Sequence, residues 1–443
     1  MSLATIGVLG IVAFLILIFA GMNIGLSLLL TGCVGFYVIN PNFLAAASMV
    51  QMTVTSQVTT YSLIVIPLFI MMGNFAYYAG LSAALFDAAN KWLSRLPGNL
   101  AAAAVAASAG FGAICGSCAA TCATMGAISL PEMRKHGYAD RLSTGSIAMG
   151  GTLGILIPPS TPMIIYCIMA NNVSIGKMFA AGIVPGLMLA VLCILTIVVL
   201  VKMSPGIAPP PQKCSWIERF KSLKGLIGIV VLFGVVLGGL FTGFFPATQS
   251  AAVGAFLAIL LCAANRKLSW KNFVGALRDS ITTFAMTFLI LIGATVFSKF
   301  LALTGIPQSV GTLIREAEMP FWLVIVLMTI VYIVLGMIMD ELPMILLTVP
   351  IFYPIILDYA DTMGLSPEMM AVWFGIYIIL VMELGAIAPP VGMNCFIIQG
   401  ISKDIPLWTI YKGALPFVIT ILVAVVLIYF FPQIVTAIPA SMK

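Results

Sequence analysis

Apolar stretches of about 18 or more residues recur along the whole chain, and short segments between them hold most of the charge. No strand-like alternation of polar and apolar residues appears, which excludes an outer-membrane barrel. The pattern therefore predicts an all-α polytopic membrane protein. Stretches near 4–20, 24–39, 61–79, 142–170, 178–201, 224–241, 248–264 and 280–303 read as full spans. Two further spans follow residue 354.

Two stretches resist that reading. Residues 99–131 are uncharged, with glycine-rich breaks at Gly110, Gly112 and Gly116-Ser117. Each arm has about 15 residues, short of the roughly 20 that cross a bilayer. A single crossing would also separate Arg134, Lys135 and Arg141 from Lys91 and Arg95 and invert every later basic loop. A re-entrant helical hairpin keeps all five on one side. Residues 320–354, with Gly336 and the acidic pair Asp340-Glu341, read as a second hairpin opening outward, which keeps Lys403 and Lys412 inside. With both termini outside, 16 of the 20 Lys and Arg residues become cytoplasmic. Lys177, Lys299, Arg315 and Lys443 remain outside, whereas Lys213 in the long inter-half connection falls inside.

The scheme gives ten full crossings and two hairpins: three spans, a hairpin and two spans in each half. The halves run in opposite directions, an inverted-topology repeat. Leu153-Gly154-Ile155-Leu156-Ile157-Pro158-Pro159 matches Leu384-Gly385-Ala386-Ile387-Ala388-Pro389-Pro390 at a displacement of 231 residues. Four segments follow: scaffold helices 1–98, a moving half 99–205, linker and scaffold 206–319, and a second moving half 320–443. Amphipathic pieces at Leu81–Leu96 and Trp216–Lys224 suit the membrane interface. Pro209-Pro210-Pro211 stiffens the connection between halves.

Of the 443 residues, 62% are hydrophobic and 8% charged. A soluble domain carries about 25% charged residues, so a soluble enzyme is excluded. The net charge of +6 lies in inter-helix loops and follows topology, not nucleic acid. The single histidine, His136, sits in a charged loop and offers no intramembrane haem or proton relay. The nine cysteines read as small packing residues. Cys115, Cys118 and Cys122 superficially suggest a metal motif, but no His or second CxxC accompanies them. No cofactor is expected. The N-terminus Met1-Ser2-Leu3-Ala4-Thr5 lacks a basic region and a cleavage site, so the first stretch is expected to stay as a helix.

The chemistry concentrates at the two Gly-x-x-x-Pro-Pro motifs. Proline removes a backbone donor and breaks the helix, and freed carbonyls inside a membrane need a partner or a polar cavity. Carbonyls suit a monovalent cation, and the half-helix N-terminus that follows suits an anion. Asp340, an acid within an apolar stretch, costs about 2.5–3.5 kcal/mol to insert at mid-membrane and calls for a partner or a role. Glu383 raises the same question.

These residues resemble the large membrane subunit of the tripartite ATP-independent periplasmic (TRAP) transporters. Gly151–Tyr166 is similar to that family's first helix break, and Gly385–Asn394 with Gly400-Ile401-Ser402 to its second. Leu130-Pro131-Glu132-Met133 with Gly137-Tyr138 matches the end of its first hairpin. The resemblance implies an elevator-type secondary transporter of the bacterial inner membrane, coupled to Na⁺ and not an enzyme. It implies three partners: a small four-helix membrane subunit on a separate chain, a periplasmic substrate-binding protein and an organic-acid substrate. It also implies one Na⁺ site from Gly116, Ser117, Gly154 and Pro158, and a second from Met339, Asp340, Ala388, Pro389 and Met393. Ser117, Ser160 and Asn394 are the implied substrate contacts. Where the family commonly shows Gly-Ser-Ser and a nearby acid, this chain has Gly116-Ser117-Cys118 and Thr121. A self-sufficient Na⁺/carboxylate symporter, an intramembrane enzyme using Asp340-Glu341 and a passive channel are the competing readings.

Overall fold

The computed structural model describes residues 2–170, 173–211 and 214–442. Lys213 and Lys443 lie outside the described residues. Every regular element among those described is helical. The first half holds α1 (Leu3–Phe19), α2 (Ile24–Ile39), α3 (Phe43–Thr59), α4 (Val65–Tyr78), α5 (Leu81–Leu93), α6 (Asn99–Cys115), α7 (Cys118–Lys135), α8 (Asp140–Leu156), α9 (Thr161–Ala170) and α10 (Ile175–Met203). The second holds α11 (Trp216–Leu223), α12 (Ile227–Phe241), α13 (Ala247–Ala264), α14 (Trp270–Thr304), α15 (Ile306–Glu316), α16 (Phe321–Gly336), α17 (Glu341–Leu357), α18 (Pro367–Ile387), α19 (Met393–Ile401), α20 (Leu407–Phe430) and α21 (Gln433–Ser441).

Local chemistry sets many of the starts. Side chains of Asn23, Ser117, Ser269, Asp340 and Ser366 accept from the first backbone N–H groups of their helices, relieving donors that have no intrahelical partner. Ser215 and Glu218 form a capping box on α11.

The helix order repeats. α1 and α2 correspond to α12 and α13, the pair α3–α4 to the unbroken 35-residue α14, and α6–α10 to α16–α20. Packing follows the same correspondence: α2 lies on α14 as α4 lies on α13, and α9 lies on α17 as α19 lies on α7. Both helix breaks contain a cis bond, Pro158–Pro159 and Pro389–Pro390. The core centres on α18, which is almost wholly buried and whose Trp373 indole donates to the Ile428 carbonyl at 2.9 Å.

Among the described residues, seven helical spans are long and apolar enough to cross a membrane, and the pair α8–α9, bent by 41°, makes an eighth. These include six of the ten expected single crossings, the bent pair and α18. The other two expected crossings, α1 and α2, have 17 and 16 residues. At about 1.5 Å per residue they fall slightly short of a hydrocarbon core of roughly 30 Å.

The four helices of the two expected hairpins fold back in pairs. The Tyr138 hydroxyl accepts from Leu100 N at 3.2 Å and donates to Asn99 Oδ1 at 2.9 Å, joining the start of α6 to the end of α7. The Tyr359 hydroxyl donates to the Met319 carbonyl at 2.8 Å, and its ring lies 5.2 Å from that of Phe321. Each hairpin therefore begins and ends at one place.

Several sequence expectations need correction. α6 runs unbroken through Gly110 and Gly112, and only Gly116-Ser117 interrupts the first hairpin. α7 continues past Pro131, and α17 past Pro350 and Pro354, because neighbouring helices stabilise the interrupted turns. α3 was not expected: Gln51, Thr53, Thr55, Ser56 and Gln57 dilute its apolar pattern. It is helical because Ala46, Met49 and Thr53 bury one face. α15 was also missed, and the chain's end forms a further short helix, α21. The amphipathic segments appear as α5 and α11, packed together: buried Arg219 donates to Ser94 Oγ at 3.1 Å and stacks 4.9 Å over Trp216.

Ion pairs tie the ends of the helices. Arg134, at the end of α7, pairs with Asp140 at 3.0 Å and Asp404 at 2.7 Å. The guanidinium, with help from Ser402, lowers the Asp404 carboxyl from 3.8 to about 2. Lys177 at the start of α10 pairs with Glu368 at the start of α18, 2.7 Å apart.

Candidate functional site

The site is built from two hairpin tips and two helix breaks. At the first tip α6 ends on Gly116, whose φ of +59° is the left-handed conformation that glycine adopts without penalty. Ser117 then caps α7, and Thr121 Oγ1 donates to the Ser117 carbonyl at 2.7 Å. At the second tip Asp340 Oδ1 accepts from Glu341 N at 2.9 Å and caps α17. Both tips are thus loop-to-helix turns held by a polar side chain.

The breaks follow from proline chemistry. Pro158 and Pro389 have no N–H to offer the carbonyls of Gly154 and Gly385, four residues earlier. α8 and α18 stop at equivalent places, with Ile157 N donating to Leu153 O at 3.1 Å and Ala388 N to Leu384 O at 2.9 Å. Some freed groups find protein partners. Ser160 Oγ donates to Ile155 O at 2.6 Å, and the Tyr411 hydroxyl reaches the Pro390 and Val391 carbonyls at 2.5 and 2.7 Å.

Close glycine contacts join each break to its own hairpin. A Cβ built on Gly154 would stand 2.6 Å from Thr121 Oγ1 and 3.0 Å from the Ser117 carbonyl oxygen. One on Gly116 would stand 2.9 Å from the Pro159 carbonyl oxygen. In the second half a Cβ on Gly336 would lie 2.8 Å from Gly385 Cα. Gly112 meets Gly154 as Gly336 meets Gly385. Two backbones approach this closely only without side chains.

Gly116, Ser117 and Gly154 are therefore brought together beside the Pro158-Pro159 turn. In the second half, tip and break meet through Gly336 and Gly385, flanking Met339-Asp340 on one side and Ala388-Pro389 on the other. Met339 and Ala388 are buried, and Pro389 and Met393 are partly buried. Sequence reasoning named Gly112 and Gly336 within the hairpin stretches and Gly385 in the proline motif, but did not assign them to the contact between hairpin and break. The 231-residue match had already paired Gly154 with Gly385, so that signal was present.

A cavity of about 450 Å³ opens between the tips. Ser117 and Thr161 line it from the first half, Asp340 and Glu341 from the second, and Asn23, Asn74, Thr283 and Thr287 close it from α4, α14 and the start of α2. Two expected substrate contacts are absent from its wall. Asn394 is buried; its Nδ2 donates to Ala148 O at 2.8 Å, and its Oδ1 accepts from Cys118 Sγ at 3.2 Å. It bolts α19 to α7 and α8. Ser160 is spent on Ile155 O. The Cys115 and Cys122 thiols likewise serve packing and hydrogen bonding, to Thr121 and the Asn394 carbonyl.

Beneath the breaks, Thr152 Oγ1 and Glu383 Oε2 lie 3.0 Å apart. Their separation of 231 in sequence makes them equivalent positions of the two halves. The other Glu383 oxygen has no hydrogen-bond partner among the described residues.

A sequence profile described as "Tripartite ATP-independent periplasmic transporter, DctM component" matches residues 11–434. The chain belongs to this family. The C4-dicarboxylate TRAP transporter large permease protein DctM of Pseudomonas aeruginosa is 32% identical over 86% of this chain and 86% of that one. The sialic acid TRAP transporter large permease protein SiaM of Vibrio cholerae is 28% identical over 96% of each chain. Among solved structures, the YdaH transporter of Alcanivorax borkumensis shares the fold, with a TM-score of 0.59, 14% identity and coverage of 88% of this chain and 89% of that one. This TRAP large subunit is accordingly a multi-pass inner-membrane protein of a secondary transporter. The cavity and the paired tips belong to that setting.

Proposed function

We propose that this TRAP large subunit imports an organic acid by a Na⁺-coupled elevator movement. A periplasmic binding protein supplies the substrate, and a small membrane subunit braces the scaffold. The observation that carries the reading is the cavity between the tips, with one wall from helices of 1–98 and 206–319 and the other from 99–205 and 320–443. A substrate held there moves with the hairpin-bearing halves relative to the rest. The hairpins are re-entrant in this reading, the halves are inverted, and both termini are periplasmic.

Na⁺ binds at two equivalent places. The first uses Gly116, Ser117, the Gly154 carbonyl and the Pro158 turn. The second uses Met339, Asp340, Ala388, Pro389 and Met393, with Gly385 as the counterpart of Gly154. Carbonyl, hydroxyl and carboxylate oxygens suit a hard monovalent ion. The N-terminal ends of α7 and α9 favour a substrate carboxylate. Ion binding fastens each tip to its break, so the cavity is complete only when Na⁺ is present.

The test is uptake into proteoliposomes holding the large and small subunits, with the cognate binding protein outside. Uptake should require an inward Na⁺ gradient and the binding protein together. Uptake indifferent to Na⁺ would end the coupling claim, and uptake without a binding protein would favour a self-sufficient symporter.

A further inference from the structure

The α5–α11 pair carries its polarity the wrong way round for a surface in water. Along α11, Trp216, Ile217, Phe220 and Lys224 share one face, and the three apolar members are 55%, 79% and 60% exposed. The packed side holds Arg219, which is only 5% exposed. Trp92, near the end of α5, extends the apolar face: its ring lies edge to face 6.0 Å from that of Phe220, which lies 6.3 Å from Trp216. α11 runs through the 3-10 turn Lys224–Leu226 directly into α12, and Trp216–Phe241 forms one hydrophobic segment of 26 residues. At about 1.5 Å per residue that exceeds a hydrocarbon core of roughly 30 Å, which leaves α11 at headgroup depth.

Charge on the same patch is unbalanced. Asp87 is spent on Lys91 at 2.7 Å, and Glu218 accepts from Ser215 N and Cys214 Sγ at 3.0 and 3.2 Å. Arg95, Arg219, Lys221 and Lys224 enter no ion pair among the described residues. Two of these four share one indole: the Arg95 guanidinium stands 5.8 Å and that of Arg219 4.9 Å from the Trp216 ring. Arg219 Nε is buried without a hydrogen-bond partner among the described residues. An anion resting on the patch therefore supplies the charge that the protein withholds.

From this geometry we infer that α5 and α11 form a docking site for an anionic phospholipid. Its acyl chains lie against Trp92, Trp216, Ile217 and Phe220, and its phosphate meets the exposed cations Arg95, Lys221 and Lys224. Arg219 does not touch the lipid; it holds the Trp216 ring from the packed side and adds its charge to the local field. A zwitterionic lipid satisfies the apolar face equally well but leaves the cations unmatched, so the headgroup decides the preference. Each Lys or Arg beside an anionic surface contributes about fivefold to affinity. The bound lipid also steadies the start of the first hairpin, because Asn90 Oδ1 on α5 accepts from Asn99 Nδ2, at 3.0 Å, where α6 begins.

The experiment is thermal unfolding of the full chain in an uncharged detergent. It is titrated with phosphatidylglycerol, with phosphatidylcholine of the same acyl chains, and separately with glycerol 1-phosphate. Half-saturation for stabilisation should come at about tenfold less phosphatidylglycerol than phosphatidylcholine. Arg95→Gln, a change at an exposed position, should cut that preference about fivefold. Lys403→Gln removes an exposed cation outside the patch and should leave the preference within about twofold of the wild type. Equal half-saturation for the two lipids overturns the inference. So does a preference that survives in Arg95→Gln or falls as far in Lys403→Gln. Stabilisation by glycerol 1-phosphate at the lipid's concentration would reveal a free-phosphate site and overturn it too. A preference that vanishes once the small subunit is bound would make the patch a protein interface, with the same consequence. None of these outcomes depends on substrate or Na⁺, so the transport reading stands or falls separately.

Discussion

The close approach of Gly385 to Gly336 gives the sharpest prediction. Alanine at 385 adds a Cβ 2.5 Å from Gly336 Cα and 2.8 Å from its carbonyl carbon. These are backbone atoms, so no side-chain rotation relieves the overlap. The added atom is roughly 1 Å short of ordinary van der Waals contact, and α16 must withdraw from α18 by about that distance. Overpacking of this kind costs about 1–3 kcal/mol. If most of the penalty falls on the state in which tip and break meet, Na⁺ half-saturation should rise by about 5- to 150-fold. Gly238→Ala is the control, because a Cβ there meets nothing within 4 Å and alanine is a better helix former by about 1 kcal/mol. The assay is thermal unfolding of the purified protein across a Na⁺ titration, with uptake as a second readout. A Gly385→Ala protein with the stability and Na⁺ half-saturation of Gly238→Ala would refute the reasoning. Gly112→Ala, against Gly154, should behave like Gly385→Ala if the two halves are equivalent.

Other outcomes follow from single side chains. Asp340→Asn should raise Na⁺ half-saturation with little loss of stability, since asparagine caps a helix about as well as aspartate; unchanged Na⁺ dependence in uptake would remove Asp340 from the ion site. Tyr359→Phe removes the hydroxyl that joins the ends of the second hairpin and should cost about 0.5–1.5 kcal/mol in denaturant or thermal unfolding; Tyr138→Phe should cost more, because its hydroxyl both donates and accepts. Asp404 sits at about 2, below its ordinary 3.8. A lowered carboxyl stabilises the folded state above the unfolded value and loses that contribution as pH falls through the folded one. Its share should therefore fade between about pH 4 and 2, and Arg134→Gln should shrink that acid-dependent component in unfolding followed against pH, leaving the part that Ser402 supplies.

Much of the architecture was legible because the bilayer is a demanding solvent. Uncharged length specified most of the spans. The two Gly-x-x-x-Pro-Pro motifs announced their breaks because proline withholds an N–H in any context. Ser117 and Asp340 announced the tips, both lying where an apolar stretch turns polar. α3 was hidden because its helicity depends on one buried face against α2 and α14, not on a continuous apolar run. Gly110 and Gly112 misled for the opposite reason. Glycine in a soluble helix suggests a break, but here Gly112 admits the Gly154 backbone and Gly110 the Leu85 side chain.

By itself, then, the sequence determined a membrane protein of two matched halves, each with a hairpin and a proline-broken helix. It also identified the residue types able to hold a cation. Tertiary structure alone decided which of those residues meet. It put Ser117, Thr161, Asp340 and Glu341 on one cavity and withdrew Asn394 and Ser160 into packing. It also set Gly154 against Gly112 and Gly385 against Gly336. The physical reason is separation along the chain. Hydropathy and backbone chemistry act over one turn or one span, whereas the side of a helix that faces a cavity is set by neighbours some two hundred residues away.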